Sequence, residues 1–87
     1  MRKIRVLVVD DSMMFRELMV RGINSDPALE VVAVATDPFE ARDMILKYKP
    51  DVMTLDIEMP KMDGLEFTKR LMPQYPIPIV MVSALSD

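Results

Sequence analysis

The run Ile4-Arg5-Val6-Leu7-Val8-Val9 constrains this chain most. It is apolar and β-branched, and it does not alternate, so a strand made from it is buried on both faces. Sheets covered on both faces are parallel ones, whose strands are joined by crossover helices. Asp10 and Asp11 stop the run, and Ser12 offers a hydroxyl N-cap. Phe15, Leu18, Met19, Val20 and Ile23 then recur at helical spacing, with Arg16, Glu17 and Arg21 on the other side. Asn24-Ser25-Asp26-Pro27 ends that helix.

The alternation repeats. Leu29 to Ala35 (LEVVAVA) reads as a second strand. Asp37 can cap the next helix, Pro38 suits its first position and Glu40 completes a capping box. Ala41, Met44, Ile45 and Tyr48 give that helix its apolar face, Lys47 and Lys49 lie near its negative end, and Pro50 stops it. Val52 to Leu55 is a third strand, followed by a loop from Asp56 to Asp63. A third helix runs roughly from Gly64 to Met72, with Leu65, Phe67, Leu71 and Met72 as its apolar residues. Pro73, Pro76 and Pro78 break it, and Ile79 to Val82 forms a fourth strand. The order β-α-β-α-β-α-β predicts an α/β domain with right-handed crossovers and helices on both faces.

Composition narrows the chemistry. The 87 residues form one small domain with net charge −3 and no basic stripe, which argues against direct nucleic-acid binding. No stretch predicts membrane insertion. There is no Cys and no His, so thiolate or imidazole catalysis and the usual zinc sites are excluded. What remains is carboxylate and hydroxyl chemistry at strand ends. Asp10 and Asp11 end the first strand, Asp56 the third and Ser83 the fourth, and open α/β sheets bind ligands outside such ends.

In a flavodoxin-like strand order the first and third strands are neighbours, which gathers Asp10, Asp11 and Asp56. Two carboxylates about 5 Å apart repel by roughly 3 kcal/mol at an effective dielectric near 20. Three therefore call for a cation, and with no soft donors present it should be a hard one, Mg2+ or Mn2+. That points to phosphoryl transfer, with a carboxylate as nucleophile forming an acyl phosphate. Ser83 can donate to a phosphoryl oxygen, and Ala84 is small enough to leave the approach open. Blander roles compete with these: an Asp-Asp pair is most often a helix cap, Glu58 and Asp63 read as ordinary loop acids, and Gly64 as a backbone necessity. Of ten methionines, Met19, Met44, Met53 and Met81 fit core positions, while Met13, Met14, Met59 and Met62 lie near the proposed site.

Val6 to Ser12 (VLVVDDS), Pro50 to Gly64 (PDVMTLDIEMPKMDG) and Pro78 to Ala84 (PIVMVSA) resemble receiver domains of bacterial two-component response regulators. The resemblance implies a flavodoxin-like α/β/α fold with strand order 2-1-3-4. It implies that Asp56 accepts a phosphoryl group from a sensor histidine kinase. Asp11 and Asp56 would bind Mg2+ through their carboxylates, Glu58 through its backbone carbonyl and Asp10 through water. Ser83 matches the family's switch hydroxyl.

The wording LDIEMPKMDGLEF and VMVSALS is most similar to the N-terminal receiver of the chemotaxis protein-glutamate methylesterase family. That resemblance implies a cytoplasmic protein whose C-terminal esterase domain demethylates or deamidates chemoreceptors once phosphorylation relieves its inhibition. A complete receiver adds a fifth strand with a Lys and a fifth helix. Residues 1–87 stop short of these and contain no hydrolase triad, so the expectation is a truncated receiver with an exposed fourth-strand edge open to dimerisation or swapping. The alternatives are a receiver serving another output, such as DNA binding, and a Mg-dependent aspartyl phosphatase. The phosphatases of that kind use Asp-x-Asp on the first strand, whereas here the doublet is adjacent.

Overall fold

The computed structural model describes residues 2–56, 64–71, 73–74 and 76–82. Seven elements follow in order: β1 (Ile4–Val9), α1 (Met13–Asn24), β2 (Leu29–Ala35), α2 (Pro38–Tyr48), β3 (Val52–Asp56), α3 (Gly64–Leu71) and β4 (Ile79–Val82). All strand pairs are parallel and the sheet order is β2-β1-β3-β4. This is the flavodoxin-like topology, with the chain stepping to one side after β1 and to the other after β2.

That reversal sorts the helices. Right-handed crossovers in opposite directions put α1 on one face and α2 and α3 on the other. The larger core lies on the α2/α3 face. There Leu7, Val9, Ala35, Met53 and Leu55 from the strands meet Ala41 and Ile45 of α2, Leu71 of α3, and Ile77. Val6 and Val8 point to the opposite face and are also buried, so β1 is covered on both sides, as its unbroken apolar run requires. β2 fits less regularly. Val6 pairs with Val31 but Leu7 pairs with Ala33, so Val32 is an extra residue that resets the register.

Local chemistry sets the helix ends. Ser12 caps α1, its hydroxyl accepting the Phe15 N–H at 3.2 Å. Asp37 caps α2 by accepting the Glu40 N–H at 2.8 Å, with Pro38 at the first turn. The Glu40 carboxylate reaches one residue further back than a capping box does: Oε1 accepts the Thr36 N–H at 2.6 Å and its hydroxyl at 3.0 Å. α2 ends on Lys49, whose φ of 48° is left-handed and whose N–H donates to the Ile45 carbonyl. At this end of the sheet Asp51 ties the first strand down. It accepts the Arg5 N–H at 2.9 Å and Arg2 Nη2 at 3.0 Å.

Three side chains differ from the pattern reading. Leu18, assigned to the buried stripe of α1, is 58% exposed, and no residue of α1 is fully buried. Met81 is 38% exposed at the sheet edge rather than in the core, while Met53 is fully buried as expected. Arg16, assigned to the solvent side, is half-buried and turned toward the end of β1. The expected roles of Met59, Met62 and Met72 fall outside the described residues, as do the side chains of Leu65 and Phe67.

Candidate functional site

β1 and β3 are hydrogen-bonded neighbours, with Val9 opposite Leu55. The residues just beyond that pair are Asp10 on one strand and Asp56 on the other. Asp11 stands where the chain turns from β1 toward α1. One carboxylate oxygen from each of Asp10, Asp11 and Asp56 lies within 4.8 Å of the others. Asp10 and Asp56 are 3% and 6% exposed, whereas Asp11 opens to solvent.

Asp10 carries the strain of this arrangement. Burial pushes its carboxyl above the ordinary carboxylate range, and the charges of Asp56 and Asp11 push the same way. The Ser12 N–H, which donates to Asp10 Oδ1 at 2.9 Å, and the nearby Arg16 guanidinium oppose the rise. Arg16 Nη1 also donates to the Asp10 backbone carbonyl at 3.0 Å.

Three clustered carboxylates, two of them buried, form an all-oxygen donor set open on the Asp11 side. A small, hard divalent ion suits it: such ions take one or two carboxylates and keep several waters. The fit is also electrostatic: burial does most to raise the Asp10 carboxyl, and the further push from the Asp56 and Asp11 charges is what a dication neutralises.

Of the residues singled out from sequence, Asp10, Asp11 and Asp56 converge. Glu58, Asp63, Ser83 and Ala84 lie outside the described residues. Val82, which precedes Ser83 in the chain, is the register partner of Asp56. Arg16 was missed by pattern reading, although a signal for it existed. Helical side chains lean toward the N-terminus, so a long one at the first turn can reach back over the strand end.

Residues 6–87 match the family model of the response regulator receiver domain. Over all 87 residues the chain is 68% identical to protein-glutamate methylesterase/protein-glutamine glutaminase 2 of Syntrophomonas wolfei, of which it covers 26%. The chain thus spans about a quarter of the length of the curated relatives it matches. Among solved structures, the response regulator domain of Thermotoga maritima CheB superposes with a TM-score of 0.88 at 45% identity, covering 99% of this chain and 64% of that one. A chain in the complex of the CheA3 P1 domain with CheY6 from R. sphaeroides gives 0.82 at 35% identity, covering 98% and 67%. Fold, acidic cluster and sequence agree, and the chain belongs to the response regulator receiver domain family.

Proposed function

We propose that this chain is the phosphoryl-accepting receiver of a chemotaxis methylesterase, with Asp56 as the acceptor. The observation that carries the reading is the convergence of three carboxylates from two adjacent strand ends. A carboxylate oxygen of Asp56 attacks the phosphorus of a phosphohistidine on a sensor kinase. The new P–O bond forms as the P–N bond breaks, and the imidazole nitrogen leaves with the electron pair. Asp11 and Asp56, with the Glu58 backbone carbonyl, would hold Mg2+ or Mn2+, and Asp10 would act through water. Such an ion supplies charge neutralisation for the phosphoryl oxygens. Asp10, fixed by the Ser12 N–H, orients that side of the site. Ser83 would donate to a phosphoryl oxygen and serve as the switch hydroxyl, and Ala84 is a residue small enough to suit that approach. The pairing of Val82 with Asp56 supports that assignment.

The output assignment rests on likeness. Identity of 68% to a methylesterase/glutaminase favours an attached C-terminal esterase domain acting on chemoreceptors in the cytoplasm, inhibited until Asp56 is phosphorylated. Residues 1–87 are then the greater part of that protein's receiver. Kinase partnership draws support from the likeness to the CheA3 P1–CheY6 complex.

The test is phosphoryl uptake from radiolabelled acetyl phosphate with Mg2+. The wild-type protein should take up label and Asp56→Asn should take up none. Label retained by Asp56→Asn would overturn the assignment. In the full-length protein, phosphorylation should raise receptor demethylation, and an unchanged rate would remove the esterase reading alone.

A further inference from the structure

Asp10 is held at both ends. Its Oδ1 accepts the Ser12 N–H at 2.9 Å, and its backbone carbonyl accepts Arg16 Nη1 at 3.0 Å. Between these, the Ser12 hydroxyl accepts the Phe15 N–H and the Ser12 carbonyl accepts the Arg16 N–H at 2.9 Å. The bonds close a ring that runs from Asp10 through Ser12 and the first turn of α1 to Arg16, then back to Asp10. Asp11, exposed and contributing the third carboxylate, is bracketed by that ring. An ordinary surface arginine keeps its guanidinium in water. This one is half-buried and directed onto a backbone carbonyl.

We propose that Arg16 is a positioning residue for the acidic site: by clamping the Asp10 carbonyl it fixes the β1–α1 corner, so that the Asp10 and Asp11 carboxylates converge with Asp56. The proposal rests on reading the three carboxylates as a divalent-cation site. Charge alone argues in the opposite direction. A guanidinium beside a cation site repels the ion, so its removal would tighten binding if repulsion were the larger effect. The sign of the change therefore separates clamp from bystander.

The experiment titrates Mg2+ into wild type, Arg16→Met and Arg16→Lys. Affinity is read by calorimetry, corner geometry by the amide NMR shifts of Asp11 and Ser12, and fold integrity by the metal-free melting midpoint. Removing a group that orients metal ligands costs about 10–100-fold in affinity. Relief of repulsion offsets part of this, so Arg16→Met should bind roughly three- to tenfold more weakly. Its Asp11 and Ser12 amides should shift before any metal is added. Arg16→Lys, which keeps a charged donor of similar reach, should restore most of the affinity. Arg16→Gln, two bonds shorter, replaces the methionine variant if that fails to fold, with the same expected loss. Unchanged or tighter binding in Arg16→Met overturns the proposal. So does an equal loss in the lysine variant that tracks a lowered metal-free midpoint, because that marks general destabilisation. Absence of Mg2+ binding in wild type overturns the cation reading itself, and the proposal with it.

Discussion

Asp10 is ionised only against burial and two neighbouring negative charges. Its folded-state value is raised above the ordinary 3.8, so the folded protein holds this proton more tightly than the unfolded chain does. Stability contributed by the group therefore falls as pH rises from 3.8 through the folded value. Asp10→Asn removes the charge and keeps an oxygen for the Ser12 N–H. It should stabilise the metal-free protein at neutral pH by on the order of 1 kcal/mol, inside the Coulomb bound of roughly 3 kcal/mol for one pair. That advantage should shrink on acidification and vanish below 3.8. Saturating Mg2+ should reverse the order, since wild type gains about 2.7 kcal/mol at 100 times its dissociation constant, while the variant, with one negative charge fewer at the cluster, binds the ion more weakly and gains less. Melting curves over pH, with and without Mg2+, check all three. An Asp10→Asn variant less stable than wild type at neutral pH without metal would mean that the cluster is not under charge strain. The three aspartates were legible in sequence because each terminates an apolar run. Arg16 was legible only through its place in the first turn of the helix, where a long side chain leans back over the strand end; helical periodicity alone assigns it to the solvent face.

The elements carry two local conflicts that substitution can relieve. Gly22 lies inside α1, and a Cβ added there meets nothing within 4 Å. Gly22→Ala should stabilise by about 0.5–1 kcal/mol, through helix propensity and a less flexible unfolded chain. Lys49 is a non-glycine residue in the left-handed region. Its backbone carbonyl accepts Arg5 Nη1 at 2.9 Å, a bond that Lys49→Gly preserves. Relief of backbone strain outweighs the added unfolded-state entropy, for a net gain of about 0.5 kcal/mol. Denaturant midpoints at unchanged slope measure both changes. A destabilised Lys49→Gly would show that the lysine side chain matters more than its φ. Strand and helix limits were readable because caps and prolines mark them: Ser12, Asp37 and Pro50 all act where the sequence places them. The register reset at Val32 was not readable, since from Val31 onward the strand is apolar in both phases and only pairing with β1 selects one.

For the whole molecule, the alternation of strands and helices fixed the class, and handedness fixed the layers once the order was known. The order β2-β1-β3-β4 itself came through family resemblance, because nothing in a single strand states its neighbour. Among the described residues that order leaves two edges, and they differ. β2 has Glu30 and the Val32 irregularity, devices that discourage edge pairing. β4 is Ile-Val-Met-Val without a charge, and among the described residues it pairs with β3 alone. Val80 and Met81 on it are 52% and 38% exposed, one on each face of the sheet. Strand addition at β4 would satisfy backbone groups and cover both side chains at once. The 87-residue polypeptide expressed by itself should therefore self-associate through Ile79–Val82. Val80→Lys should weaken that association by up to roughly 1 kcal/mol, because a charged side chain on an edge strand opposes the addition of another strand. Glu30→Lys on the other edge should leave it unchanged. Sedimentation equilibrium over a concentration series decides the matter. A monomer at the highest concentration, or equal sensitivity to both substitutions, would show that the β4 edge is not the point of contact.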